Sequence, residues 1–475
     1  MDSFNEVSHV FLDWLKRSGA EISPKIELKD LRNVQAGRGV VATQDIAEDE
    51  VLFRIPRSAI LSVENSILSN EIPKATFDAL GPWLSLILAM LYEYFNNDAS
   101  NWAPYFRVLP DQFNTLMFWS EDELAELQSS AVVHKIGRQS ADENFKTELI
   151  PVIKEFSQLI FAGDERAQER AAEMEDEAGM LLMHKMGSLI MAYAFDVEPA
   201  LSQKEIDEEG YASEDEDEAL PKGMVPMADM LNADADRNNA RLFYEEESLS
   251  MKALKPVHAG EEIFNDYGPL PRSDLLRRYG YITDNYAQYD VVEIPFELVA
   301  QIASAANVYS EDRLGYLDEN DLIETGYDIC ASEPFTIYES VAPELIVVVE
   351  TLLLDNDEFE RLKRKGKLPK PEKITANGAE FLHRLVQVRL QQYRTTLVED
   401  LNEANGASLT GEATSKERRY AIAKQVRIGE KKLLKQVEEA LEQWGRDLVN
   451  ANGSAKRPAD DEEEEAGQGK RQRAR

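Results

Sequence analysis

The chain reads as an α+β protein, and three observations carry that reading. Short β-like stretches punctuated by glycine and proline fall in two separate places, at 25–55 and again at 224–294. Between them, from about 62 to 197, the texture is helical. After Pro295 apolar residues again recur at helical spacing.

Taken in order, 3–15 predicts an opening helix. Ser3 and Glu6 fit a capping box, and Phe4, Val7, Phe11, Trp14 and Leu15 form one apolar stripe. Pro24 ends it. Strands are expected at 25–28, 40–43 and 51–55, with Glu48, Asp49 and Glu50 in a solvated turn between the last two. Residues 84–95, apolar on most sides, predict a buried helix. Ser120 predicts an N-cap for a helix over 121–128, with acids at the positive end of its dipole. A further apolar helix is expected over 181–195. Between 205 and 218 nine of fourteen residues are acidic, which predicts a disordered surface loop. Strands follow at 240–244, 249–253 and 262–265. Two later helices are predicted by Phe381, Leu382, Leu385, Val386, Leu390, Tyr393 and Leu397, and by Ile422, Val426, Leu433, Leu434, Val437 and Leu441. The polar stretch 402–414 separates them.

Composition removes several classes of function. At 475 residues the chain has room for two or three domains. No uninterrupted apolar run of membrane-spanning length and no signal-peptide pattern is evident, so the expectation is a soluble intracellular protein without a membrane partner. Cys330 is the only cysteine, and the five histidines form neither an HExxH nor an HxH pair, so no metal is expected. With 52 basic against 89 acidic side chains the formal charge is −37. Direct nucleic-acid binding meets overall repulsion, whereas a basic protein partner is steered in. In the tail beyond 451, Lys456-Arg457 and Lys470-Arg471-Gln472-Arg473 flank a twelve-residue acidic spacer. That pattern resembles a bipartite nuclear-import signal, so the expected location is the nucleus, with cytoplasm also open.

The residues that point to chemistry are few. Gly37-Arg38-Gly39 brings two permissive residues together, which lets a ligand approach main-chain amides. A dinucleotide fingerprint needs a third glycine and a following helix, whereas here Val40-Val41-Ala42 continues as strand. Asn232 ends the apolar run that begins at Met224, and a buried amide there needs partners. Tyr267-Gly268 follows the strand at 262–265, which places a phenol at a strand end. Each feature alone is compatible with an ordinary turn or core residue.

In this order the segments resemble a SET domain split by a helical insert. Glu261-Glu262-Ile263-Phe264-Asn265-Asp266-Tyr267-Gly268, Leu275-Leu276-Arg277-Arg278-Tyr279-Gly280-Tyr281 and Asn101-Trp102-Ala103-Pro104-Tyr105-Phe106 are similar to motifs of the Rubisco large-subunit methyltransferase class. Val426-Arg427-Ile428-Gly429-Glu430-Lys431 resembles that class's helical substrate-binding domain. The resemblance covers roughly residues 4–446. It implies an N-terminal helix at 1–23, SET halves at 24–61 and 221–295, a helical insert at 62–220, a substrate-binding domain at 296–450 and a tail at 451–475.

It also implies a protein-lysine N-methyltransferase that uses S-adenosyl-L-methionine. Gly37, Arg38, Gly39, Tyr193, Asn232, Ala233, Tyr267 and Tyr279 would hold the cofactor, with Tyr267 the catalytic phenol. Trp102, Phe195, Asp229 and Tyr279 would meet the substrate. Most of the wider family has His where this chain has Ala233. The implied partner is a basic protein, a large-subunit ribosomal protein by the likeness, methylated once where tyrosines crowd the channel. A chromatin or transcription protein as substrate, and a SET scaffold of weak activity, remain open at this point.

Overall fold

In the computed structural model the chain forms two units, Met1–Asp290 with Asn402–Arg427, and Val291–Leu401 with Ile428–Arg475. The structure describes residues 3–34, 36–197, 220–406 and 414–454. The acidic stretch 205–218 and the basic clusters of the tail lie outside the described residues.

The first unit holds three small antiparallel sheets. One has the order β1 (Glu21–Ile22), β4 (Val51–Pro56), β8 (Ser248–Ala253), β7 (Ala240–Tyr244), and another pairs β2 (Ile26–Asp30), β3 (Arg38–Ala42) and β9 (Glu262–Ile263). The third joins β5 (Ala194–Asp196) to β6 (Lys222–Met224). Two of these sheets stitch together segments about two hundred residues apart. Val40 faces Ile263 and Val41 faces Glu262, while Phe53 faces Met251. Val40, Phe53, Met251 and Ile263 are all essentially buried, so a one-residue slip would turn this apolar set to the wrong face.

Helices cover the sheets. The first, Ser3–Arg17, buries Phe11 and Leu15 completely. The helix Lys74–Asn96 is long and apolar enough to cross a membrane by length and composition, which the sequence did not lead us to expect. It is a core helix instead. Leu86, Ile87, Leu88, Ala89, Met90 and Leu91 are all at 0% exposure, and each large side chain contributes about 1.5–3 kcal/mol by leaving water. Gly81 at φ +69, beside Pro82, kinks it near its start.

Two expectations are corrected here. Ser120 and Glu123 do form a capping box, but the α-helix is only Glu121–Leu124 and tightens into a 3₁₀ turn over Ala125–Leu127. The helix placed at 181–195 runs Glu177–Tyr193, and Phe195 belongs to β5. The chain turns extended there because Ala194 and Phe195 pair with Met224 and Gly223. Residues of the later helix Ser415–Ser454 also join this unit. Arg419 reaches Asn114 Oδ1 and Glu123 Oε2, each at 2.8 Å, and Arg427 donates to the Glu126 carbonyl.

The second unit is mainly helical, as expected, with one antiparallel strand pair whose second strand the sequence reading passed over. β10 (Val291–Pro295) pairs antiparallel with β11 (Gly326–Cys330). Tyr327 and Ile329 are buried and alternate with exposed Asp328, so the period-two signal is present but only five residues long. The helices Phe296–Ala305, Pro343–Leu353 and Ala376–Gln391 and the C-terminal part of Ser415–Ser454 contribute to the same core.

Candidate active site

The Gly-X-Gly turn and the Asn232 segment meet in space. Gly37 adopts φ +64, and its carbonyl accepts from Leu31 N at 2.8 Å. Gly39 leaves room for its neighbours: a Cβ there would come within 2.5 Å of the Leu31 side chain, 2.7 Å of Glu262 Oε1 and 3.1 Å of Asn232 Nδ2, so these side-chain ends would have to move. Asn232 Nδ2 donates to the Ala36 carbonyl at 3.2 Å and to Glu262 Oε1 at 2.7 Å. Arg38 points its side chain elsewhere. Its guanidinium lies 4.2 Å over the Phe4 ring and donates to the Val108 carbonyl at 2.7 Å, so what it offers this turn is backbone.

Asn232 leads directly to the next wall. Asn265 N donates to the Asn232 carbonyl at 2.8 Å, and Ala233 forms a parallel bridge with Asn265. That bridge uses only the backbone of Ala233. Asn265, Asp266 and Tyr267 then line a cavity of about 390 Å³ together with Ala192, Tyr193, Ala194, Phe195, Asp196, Ala228, Asp229 and Tyr279. The helix Glu177–Tyr193 delivers Tyr193, and the helix Arg272–Tyr279 delivers Tyr279 from its last turn. A buried ion pair at 2.5 Å between Arg272 and Asp290 anchors the start of the latter helix.

Inside the cavity Tyr267 and Tyr279 stack, with centroids 4.2 Å apart and planes 9° from parallel. Burial pushes the Tyr267 phenol well above the ordinary tyrosine range, and neighbouring Tyr281, Tyr279, Tyr193 and Asp229 add to it. Burial also takes Tyr193 and Tyr279 up to about 12. These phenols stay neutral at physiological pH, so they act as dipoles and walls rather than as bases.

Asp229 is the unusual member. It sits in a short 3₁₀ turn, Ala228–Met230, entered through Met227 at φ +81, a conformation disfavoured for a residue with a Cβ. Its Oδ2 accepts from Tyr105, while its Oδ1 is buried without a hydrogen-bond partner. Desolvation raises its carboxyl to about 7, against the lowering effect of the Tyr105 hydrogen bond. An orphaned buried oxygen beside neutral aromatic walls suits an incoming cationic group.

Of the residues singled out from sequence, the structure brings Tyr193, Phe195, Asp229, Tyr267 and Tyr279 to one cavity, and Gly37, Gly39, Asn232 and Ala233 to its border through Asn265. Trp102 is not brought there. It is 3% exposed and donates its indole N–H to the Ala59 carbonyl at 3.0 Å, which places it in the core rather than in the lining of this cavity. Sequence reasoning passed over Tyr105, which lay unassigned inside a quoted motif, and Glu262, whose role depends on a partner 30 residues away. In the second unit the ligand atoms of His383, Glu438 and Glu442 lie within 4.8 Å of one another. His383 is 3.6 Å from Glu442, and Glu438 is engaged by Lys435 at 2.6 Å, an arrangement that ion pairing explains.

The comparisons agree with this geometry. A SET-domain family model matches residues 37–268, and a Rubisco LSMT substrate-binding model matches residues 309–434. Ribosomal lysine N-methyltransferase 4 of Saccharomyces cerevisiae is 33% identical over 93% of this chain and 93% of its own. The N-lysine methyltransferase setd6 of Xenopus laevis is 28% identical over 90% of this chain and 94% of its own. Among solved structures, Rubisco LSMT bound to AdoMet superimposes with a TM-score of 0.62 at 21% identity, covering 94% of this chain and 93% of that one, which establishes likeness of fold. The chain belongs to the SET-domain family of protein-lysine N-methyltransferases, with a Rubisco LSMT-type substrate-binding domain following the SET domain.

Proposed function

We propose that this protein transfers one methyl group from S-adenosyl-L-methionine to a lysine of a large-subunit ribosomal protein. The observation that carries the chemistry is the stacked Tyr267–Tyr279 pair lining one cavity with Asp229, whose Oδ1 is buried without a hydrogen-bond partner. The ribosomal part of the proposal is supported by the name of the yeast relative and by a formal charge of −37, which suits a basic substrate.

The glycine turn and Asn232 fit the cofactor, because close backbone approach and a side-chain amide serve its amino-acid and nucleoside parts. Bound there, the cofactor supplies an electrophilic methyl group on a sulfonium. The chain's own residues do the rest. Lysine is mostly an ammonium at neutral pH, with an unperturbed pKa of about 10.4. Asp229 Oδ1 accepts a hydrogen bond from that ammonium as the side chain enters. Neutral aromatic walls then disfavour its charge, and a carboxyl near 7 is basic enough to take the proton. Tyr267 and Tyr279 hold the neutral nitrogen in line and exclude water. Alignment and fixed dipoles supply most of the barrier reduction. The same stacked wall limits the room beside an amine that already carries a methyl group.

The test is methyl transfer from labelled S-adenosyl-L-methionine to purified large ribosomal subunits, with Tyr267→Phe in parallel. One labelled ribosomal protein, with a monomethyl-lysine product and strong loss in the variant, supports the proposal. Labelling of nuclear extract but not of ribosomes would keep the chemistry and discard the ribosomal substrate. The basic clusters at 456–457 and 470–473 are proposed to act in nuclear import, and deleting 455–475 should abolish nuclear accumulation.

A further inference from the structure

Asn232 has two amide hydrogens, and both are taken up inside the protein, by the Ala36 carbonyl and by Glu262 Oε1. An amide held in that way offers only its Oδ1 to anything on its open side. We propose that Glu262 is a positioning residue for the cofactor. Its carboxylate fixes the orientation of the Asn232 amide, so that the cradle presents an acceptor for a cationic or N–H group, as in the α-ammonium of an amino-acid moiety. This inference rests on the proposed use of S-adenosyl-L-methionine.

Three further observations support it. Glu262 lies on β9 directly opposite Val41, two residues beyond the Gly-X-Gly turn at the start of its partner strand, so the sheet register sets where its side chain emerges. The missing Cβ of Gly39 leaves the space in which this carboxylate and amide meet, since an alanine there would overlap Glu262 Oε1 and press on Asn232 Nδ2. The Glu262 carbonyl in turn accepts from Asn239 Nδ2 at 3.1 Å, and the Asn239 Oδ1 accepts from Phe264 N at 2.8 Å, which holds the strand on both sides. The glycine, the asparagine and the glutamate thus form one unit drawn from three segments. Burial raises the Glu262 carboxyl above its usual range, and the Asn232 hydrogen bond pulls it back.

The test is cofactor binding by calorimetry on the full chain, with S-adenosyl-L-methionine and S-adenosylhomocysteine as probes, for Glu262→Ala, Glu262→Gln, Asn232→Ala and the Asn232→Ala/Glu262→Ala double variant. Glu262→Ala should weaken both probes about tenfold or more, the scale of one charge-assisted hydrogen bond. Glu262→Gln, which keeps an oxygen for the same N–H, should recover most of that loss. In the Asn232→Ala background Glu262→Ala should add nothing, because its effect passes through the amide. For Glu262→Ala the loss should fall on the KM for the cofactor more than on kcat. Unchanged binding by a folded Glu262→Ala protein overturns the inference, as does an equal loss in the Asn232→Ala background. A wild-type chain that binds neither probe overturns the proposed function together with the inference.

Discussion

Asp229 and Asp400 are both withdrawn from water, at 8% and 0% exposure, one in each unit of the molecule. Their surroundings differ. Asp400 accepts from Lys431 Nζ at 2.6 Å and from Thr395 Oγ1 at 2.9 Å, and the same Lys431 Nζ also donates to the Thr395 carbonyl at 2.6 Å. Asp229 accepts from Tyr105 through Oδ2 and leaves Oδ1 without a hydrogen-bond partner, and the nearby Asp229 and Met227 backbone and Arg38 offset its burial only in part. A buried charge whose counter-charge and hydrogen bonds are complete acts as a clamp. One left half-compensated shifts its titration toward neutrality and keeps a site open for a ligand.

That contrast can be tested from its strong end. Lys431→Ala strands the Asp400 carboxylate and should lower stability by about 3–5 kcal/mol in denaturant melts, whereas Lys431→Met with Asp400→Leu should recover most of the loss. Equal damage from both would mean that the clamp acts through packing alone.

Tyr267→Phe should cut methyl transfer by roughly two orders of magnitude while moving the melting curve little, since the phenol aligns the reaction and its hydrogen bond to the Leu231 carbonyl is long, at 3.4 Å. Retained activity would move the catalytic assignment to another phenol.

The Asp229 contribution has a defined sign. Its folded-state carboxyl, at about 7, lies above the unfolded value of 3.8, so the folded state holds the extra proton between those limits. Wild type should therefore lose stability as pH rises from about 4 to about 7, by roughly 1–3 kcal/mol. In Asp229→Asn that part of the slope should vanish, measured by melts at pH 5 and 8. An unchanged slope would show that Asp229 does not hold the extra proton in the folded state.

The smallest effect belongs to Trp102→Phe. Loss of the hydrogen bond to Ala59 should cost about 1–2 kcal/mol of stability, and the KM for the protein substrate should not move. A raised KM with unchanged stability would restore Trp102 to the substrate groove.

Much of this arrangement was legible in the chain itself. The alternation in 240–244 predicted β7 residue for residue, and the apolar periods at 84–95 and 422–441 predicted core helices. The glycines at 37 and 39, Asn232 and Tyr267 sit in local patterns that are ordinary one by one, and only their order, in its resemblance to a SET domain, made them site candidates; β9 itself ends at Ile263, four residues before Tyr267. The five-residue β11 was not legible, because a strand that short has little period to detect and is stabilised by its partner β10. The end of the helix at Tyr193 was hidden for the same reason, since the strand that replaces its continuation exists only against β6.

The amino-acid sequence by itself determined most of the long helices and several of the strands, the order of the split halves and the residue types available for the site. These follow from periodicity and backbone preference over a few neighbouring residues. Only the tertiary structure decided that Trp102 lies in the core, that residues 402–427 join the first unit, that Glu262 meets Asn232, and that Asp229 keeps an unpartnered oxygen and titrates near 7. Burial, register and hydrogen-bond completion arise between residues far apart in the chain, and no local pattern encodes them.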